Sequence, residues 1–573
     1  MNDLLERKSH LLVSFWVIVG ATLRLFKLGS KPPWTDEFAT VLYARGDDYS
    51  SIPINQIISA SELLEPLQGY PIHGWQQVSE LLIQQNNHPP LYFLIINTWQ
   101  RLFPLDSEGY ISISGVRYLS VVFGVVGIFS LYWVAKQIFK SEKIAQFSAG
   151  LMAFSPFYIY LSQEARHYTL IITFVILSLG YCLHCINRLL QQKQFSSLFI
   201  FSWVGLNICG LLIHYFFSLT LIAEAIALMW LLWRKKISVN KQQFLQLGFV
   251  VIGVGVFSLI WITQVLPPSY GSTMTDWIRV DASDWLDFVW PIAQLFSALV
   301  TMVFLLPIQV DFLPIILVSL VTLAIFSIQL FRLWRQNFKN KLISIQHQPL
   351  VFFLNRFVVT IWGLFGILVY GFGYDITRGA RYSFVYFPAI ILLAAITLSY
   401  FWQKEINIYF PFQNILLPFS KSGSQAIALI LCCSFLGGIS VVTNLAYQKP
   451  YDPTSIIQKI EIDNQPALIL TAHKSTVQTG EMMAIAWEQY QTSSPTDISF
   501  ALVPFQSSPD NYRGDIKRLL KTFEPETFKL WIVNLEESFT PDFCSNEQLT
   551  RQAGYYGSIY DCVKTKPTSS SRS

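Results

Sequence analysis

Apolar runs of about 18 to 22 residues recur through the first 446 positions of this chain, each long enough as a helix to cross a hydrocarbon core of roughly 30 Å. Inside lipid every backbone N–H and C=O has to be satisfied within the segment, so these runs predict helices. Hydrophobic residues make up 52% of the chain and charged residues 13%, a balance outside that of soluble domains. The candidate spans are 11–28, 115–135, 144–161, 168–187, 197–214, 215–233, 244–265, 313–331, 351–371, 382–401 and 426–446. Lys and Arg collect in alternate loops, at Lys136/Lys140/Lys143, Arg188/Lys193, Arg234/Lys235/Lys236/Lys241, Arg332/Arg335/Lys339/Lys341 and Lys404/Lys421. Because short cytoplasmic loops retain positive charge, this pattern predicts about eleven crossings of a cell (plasma or inner) membrane, with the chain starting on the cytoplasmic side.

Several segments need separate treatment. The run 11–28 follows Arg7 and Lys8 as a signal peptide would, but no small-residue cleavage site follows it, so it is expected to be a retained span. Arg24, near its outer end, is expected to snorkel. Pro89 to Phe103 is too short to cross and should lie along the interface or dip in. Leu286 to Leu306 is long enough, yet a crossing there would reverse the sign of every later loop, so a re-entrant or interfacial piece is expected. Glu224 is a deep carboxylate with no evident sequence partner.

From Ala446 onward the composition changes. The short apolar runs 467–470, 498–504 and 529–535 read as strands, and 477–490 and 515–523 as helices. The expected fold is therefore an α-helical polytopic membrane protein with a small external α/β domain and a mainly parallel sheet. The domain boundaries are 1–446, with a large external loop 29–114 carrying interfacial helices, and 447–573. Cys182, Cys185, Cys209, Cys432 and Cys433 lie in apolar runs and read as small hydrophobes. Cys544 and Cys562, on the outer side, are candidates for a disulfide. The net charge of +4 is scattered over short loops, which excludes a nucleic-acid partner.

With this topology four polar clusters emerge on the extracytoplasmic face: "WTDEF" (34–38), "NNHPPLY" (86–92), "SQEARHY" (162–168) and "DITRGARY" (375–382). Thr35 is a good N-cap residue, so Asp36 and Glu37 would fall in a first helical turn and complement its dipole. Arg378 and Arg381 lie three apart, and on one helical turn both would point the same way, towards a phosphate. Carboxylates and arginines above a bilayer suit sugar transfer from a lipid-linked donor. Cations stabilise the departing phosphate, and a carboxylate deprotonates the acceptor hydroxyl in a single inverting displacement. Asp36, Glu164, His88 and His167 would offer ligands for a divalent cation such as Mn²⁺ or Zn²⁺. The four external histidines, His73, His88, His167 and His214, nevertheless make no recognisable metal spacing, and no cofactor is certain.

"LRLFKLGSKPPWTDEFATV", "HPPLYFLIINTWQRLF", "VRYLSVVFGVVGIFSLYWVAKQIF" and "SPFYIYLSQEARHYTLIIT" together resemble the successive blocks of bacterial GT-C glycosyltransferases of family 39, relatives of protein O-mannosyltransferases and of the lipid A aminoarabinose transferase. The likeness runs from about Leu11 to Ala395. It implies a polyprenyl-phosphate-linked sugar donor and an acceptor that is a protein, a lipid or a polysaccharide. By the same resemblance Asp36 is the catalytic base, Glu37 its neighbour, and Glu164 a second acid that positions acceptor or metal. His88 stands where the pattern has a phosphate-contacting lysine; its charge would vary with pH because free histidine titrates near about 6.5. Arg378, Arg381 and Tyr382 match an R-x-x-R-Y ahead of a late helix, near the donor phosphate, and Arg166 and Tyr168 would brace the site. Two other readings compete: a transporter or lipid-linked-sugar flippase, and a non-catalytic assembly factor that uses the tail to bind a partner. Transporters tend to show related halves and broken, charged mid-membrane helices, and no internal repeat is visible here.

Overall fold

The computed structural model describes residues 2–69, 72–86, 88–267, 276–279, 285–310, 312–339, 345–402, 423–505, 509–534, 541, 543–552 and 554–564. The chain divides into a helical unit, Met1–Leu28, Ser79–Ile95 and Arg117–Tyr447, and a sheet unit, Gly29–Val78, Ile96–Val116 and Gln448–Ser573.

In the helical unit every expected span falls on an apolar helix. Among the described residues six helices are long and apolar enough to cross a membrane: Ile113–Phe139, Tyr168–Leu190, Phe217–Lys235, Lys241–Val265, Gln348–Gly371 and Gly423–Val442. Five more, Ser9–Leu25, Ser197–Ile213, Leu286–Thr301, Leu313–Ile325 and Phe387–Phe401, are apolar but only 10–17 residues long. The chain is thus a multi-pass membrane protein. Its long spans number six, or seven with one bent pair, and the rest of the expected eleven rest on the shorter helices.

The bent pair corrects the expected span 144–161, and it also explains Arg24. Glu142–Phe154 and Pro156–Ser162 meet at 57° about Ser155. Pro156 has no N–H to give to Met152, so the last carbonyls of the first helix lose their intrahelical donors. Arg24 supplies them. It is fully buried and does not snorkel. Its guanidinium donates to the carbonyls of Met152 (3.1 Å), Ala153 (3.0 Å) and Gly20 (2.8 Å) and to Ser162 Oγ (3.0 Å). Ser155 Oγ accepts from Tyr158 N–H at 3.2 Å and donates to the Met302 carbonyl at 2.6 Å, which ties the break to another segment. Glu224 is explained in the same way. Buried on Phe217–Lys235, it accepts from Ser178 Oγ at 2.8 Å, and that hydroxyl lies 3.2 Å from Asn207 Oδ1, so three helices share one polar contact.

The sheet unit contains a six-stranded sheet of β1 (Ile57–Ser59), β2 (Ala467–His473), β3 (Ile498–Pro504), β4 (Thr527–Val533), β5 (Cys544–Gln552) and β6 (Tyr555–Val563), in the order β1-β3-β2-β4-β6-β5. The expected strands β2, β3 and β4 form a parallel centre, while β1, β5 and β6 add antiparallel edges. Leu468, Leu470, Ala501, Leu530 and Ile532 pack with Ile516 and Leu520 of the helix Pro509–Thr522. The expected disulfide is present: Cys544 and Cys562 are cross-strand partners, 18 residues apart, a closure of about 3 kcal/mol in the chain-entropy picture. The helix Thr35–Arg45 packs closely on Thr476–Thr492, where a Cβ on Gly480 would come within 2.7 Å of Thr35, and Phe38 meets Trp487 edge-on at 6.4 Å.

Candidate active site

In the helical unit, three chain turns carry a buried cluster. One is the loop before Leu91–Gln100, which carries His88. The second is the turn between Pro156–Ser162 and Tyr168–Leu190, which carries Glu164, Arg166 and His167. The third is the end of Ser197–Ile213, capped by His214. The ring of His167 lies 5.4 Å from His88, 4.7 Å from His214 and 5.7 Å from Tyr92. Arg166 donates to His88 Nε2 at 3.1 Å, and His88 Nδ1 lies 2.6 Å from Asn86 Oδ1. Since Nε2 accepts, the ring proton sits on Nδ1 and the imidazole is neutral. His214 Nδ1 accepts from the Phe216 N–H at 3.0 Å, which puts its proton on Nε2. Glu164 is buried in the same turn, where its carbonyl accepts from Arg166 N–H at 2.8 Å.

The electrostatics agree with neutral rings. Burial first, then the nearby Arg166 and Arg381 guanidiniums, hold His88 well below the ordinary histidine range; burial, His88 and the same arginines do so for His214. His167 is lowered by burial, then by His214 and Arg166. It is fully buried, and neither of its ring nitrogens has a hydrogen-bond partner among the described residues. Below about pH 6.5 the unfolded chain takes up protons that these buried rings refuse, so stability falls as pH falls, by up to about 1.4 kcal/mol per pH unit and ring. Thermal unfolding of the detergent-solubilised protein between pH 7.5 and 5 should show this loss, and His167→Leu should flatten the slope. An unchanged slope would mean that His167 is charged when folded.

Arg378 and Arg381 part company. The single helical turn that would align them is absent: two 3₁₀ turns, Ile376–Arg378 and Ala380–Val385, flank Gly379 in an extended conformation. Arg378 pairs with Asp375 at 3.4 Å and donates to the Trp277 and Arg279 carbonyls. Arg381 lies over the rings of Trp277 (5.4 Å) and Tyr382 (5.6 Å) and, like Arg166, acts on all three histidines. Tyr382 meets Phe216 at 4.9 Å and His214 at 6.3 Å, and Tyr168 meets His167 at 4.5 Å beneath the Arg166 guanidinium.

Asp36 and Glu37 belong to the sheet unit. They occupy the first turn of Thr35–Arg45, but the residue at the N-cap position is Trp34, which makes no side-chain cap. Thr35 is instead held by Tyr451: its N–H donates to the phenol oxygen at 2.5 Å and its hydroxyl bonds the same group. Glu37 is fully buried and its Oε2 meets Lys449 Nζ at 3.1 Å; the ammonium also lies 5.5 Å over the Trp34 ring. Asp36 is the partly exposed member of the pair. His73 lies in the same unit, 3.3 Å from Asp47.

Among the described residues no group of three or more His, Cys, Asp or Glu is placed to hold a metal ion. The histidine cluster is itself unsuited to a cation. The lone pairs of His88 Nε2 and His214 Nδ1 are already taken by N–H donors, and two guanidiniums stand beside them. Guanidiniums and imidazole N–H groups suit an anion. Among the residues of these two clusters, His214, Asn86 and Lys449 had no assigned role in the sequence. His214 could have been found as a histidine closing an apolar helix beside an aromatic "YFF".

Residues 87–261 match the family model of the dolichyl-phosphate-mannose-protein mannosyltransferases. That segment carries His88, Glu164, Arg166, His167, Tyr168 and His214, and the expectation of a membrane glycosyltransferase of the GT-C type stands with it. Among solved structures, the chain is similar to ArnT from Cupriavidus metallidurans bound to undecaprenyl phosphate, at 11% identity and a TM-score of 0.48, over 96% of this chain and 97% of that one. The apo state of the same ArnT is similar at 12% identity and a TM-score of 0.42, over 92% and 97%. No curated protein matches the chain.

Proposed function

We propose that the protein moves a sugar from a polyprenyl-phosphate-linked donor to an acceptor on the extracytoplasmic face of a cell membrane, with inversion. The observation that carries this reading is the anion-suited cluster of His88, Arg166, His167, His214 and Arg381, built largely by the segment that matches the mannosyltransferase family model. Arg166 and Arg381 bear the charge that grows on the departing phosphate, the Nε2–H of His214 orients its oxygens, and His88, whose own N–H faces Asn86, holds the Arg166 guanidinium in place. Asp36 takes the proton of the acceptor hydroxyl. Glu37 holds the helix that carries Asp36, through Lys449. Glu164 positions the acceptor, and Tyr168 and Tyr382 brace the two arginines.

The arginines supply the test, because their surroundings differ. Arg381→Gln should raise the KM for the lipid-linked donor by more than about tenfold and leave the acceptor KM nearly unchanged, as loss of one charge-assisted contact of about 1.5–3 kcal/mol would. Arg378→Gln, which loses the pair with Asp375, should change the donor KM by less than about threefold. Equal effects of Arg381→Gln on donor and acceptor would remove the phosphate role. Substrate flux without a glycan product would favour the flippase reading.

A further inference from the structure

At the end of the Tyr168–Leu190 helix remote from His167, the helices Ile113–Phe139, Tyr168–Leu190 and Ser197–Ile213 enclose an open cavity of about 540 Å³. At its back Gly180 meets Val134 so closely that a Cβ would stand 3.1 Å from Val134 Cγ2. Phe174, Leu206 and Cys209 form the apolar end, and Gln137 and His184 the polar end. Near the polar end Tyr181 donates to Ser202 Oγ at 2.8 Å. From Phe174 to His184 the helix rises roughly 15 Å, half of a hydrocarbon core of roughly 30 Å. The groove therefore has the length of an acyl chain in one leaflet, and His184 lies roughly 25 Å along the helix from His167.

The polar end is cationic. Lys140 Nζ donates to Gln137 Oε1 at 3.4 Å, and the charges that act on His184 are Arg188 and Lys140. Among the described residues neither of these pairs with a carboxylate, and Arg188 reaches only the Gln194 carbonyl. A zwitterionic headgroup would bring its own ammonium against these two cations; an anionic one would not.

We propose that this groove binds an anionic glycerophospholipid of the leaflet remote from the candidate active site, with one acyl chain between Phe174 and His184 and the phosphate at Lys140 and Arg188. Such a lipid would fasten three helices at the end opposite the histidine cluster. The site is distinct from the proposed donor site, and its occupancy does not depend on transferase activity.

Native mass spectrometry of the full-length protein, exchanged in detergent against phosphatidylglycerol and phosphatidylethanolamine of identical chains, tests it. The wild type should retain phosphatidylglycerol at least about tenfold better, since each basic residue near a headgroup contributes roughly a fivefold preference. Lys140→Gln/Arg188→Gln should abolish the preference. Leu206→Trp should lower retention of both lipids, while Phe129→Trp, on an exposed lipid-facing position, should not. A wild-type measurement stands beside these: phosphatidylglycerol with a photoactivatable chain end should label peptides containing Phe174 or Leu206. Equal retention of the two lipids, labelling elsewhere, or displacement of the phosphatidylglycerol by undecaprenyl phosphate would overturn the proposal.

Discussion

Asp36→Asn should lower sugar transfer by roughly 10²–10⁴-fold, the range that a positioned general base contributes, with no comparable loss of stability. The argument rests on how the two adjacent carboxylates are used. Glu37 is committed to a buried ion pair with Lys449, whereas Asp36 keeps part of its surface exposed in the same helical turn. Asparagine preserves the shape but cannot take the acceptor proton. The measurement is the initial rate of glycan formation in membranes supplied with candidate polyprenyl-phosphate sugars, alongside the thermal midpoint of the purified protein. A mutant within about twofold of the wild-type rate would remove Asp36 as base and would fit the assembly-factor reading. A rate loss that tracks a lowered midpoint would assign the residue to the fold instead.

The membrane helices were legible because a hydrocarbon core demands long uninterrupted apolar stretches, and that demand is written residue by residue. What broke a helix was harder to see. Pro156 marked the kink in the span 144–161, but the consequence, two orphaned carbonyls that recruit Arg24 from another helix, depends on packing that no local pattern encodes. A lone arginine near the end of a span looks the same whether it snorkels or is consumed by backbone acceptors. The same limit applies to Arg378 and Arg381. Their spacing matched a helical turn, yet Gly379 separates two short 3₁₀ turns and the neighbouring partners, Asp375 for one and Trp277 for the other, divide their roles. In the sheet unit the apolar runs of β2, β3 and β4 were readable because central parallel strands are buried on both faces. The three-residue β1 sits in a loop with no periodicity, and β5 and β6 carry mixed polar sequences that pair by register and a disulfide. His214 escaped assignment because a single histidine after an apolar helix has no spacing partner; its neighbours come from elements far away in the chain.

Lys449→Met should destabilise the sheet unit by about 3–5 kcal/mol, because the Glu37 carboxylate would remain with no exposed surface and without its ion-pair partner. The cost arises from the stranded charge and not from the loss of a contact, and that distinction can be measured. Glu37→Gln/Lys449→Met removes both charges, keeps the volumes close, and leaves an amide that needs only neutral hydrogen bonds, so it should recover most of the loss. A double-mutant cycle on thermal or denaturant midpoints gives the coupling directly; contacting charges in one buried pair should couple by up to about 3 kcal/mol. A coupling near zero would mean that Glu37 is already neutral in the folded protein, and the ion pair would then be no anchor for the helix Thr35–Arg45. The same four proteins carry a second readout. If the pair serves to hold Asp36 in place, Lys449→Met should lower the transfer rate of the fraction still folded, and the double variant should regain rate and stability together. Recovered stability with a rate still depressed would show that the charge of Glu37 or Lys449 takes part in the chemistry itself.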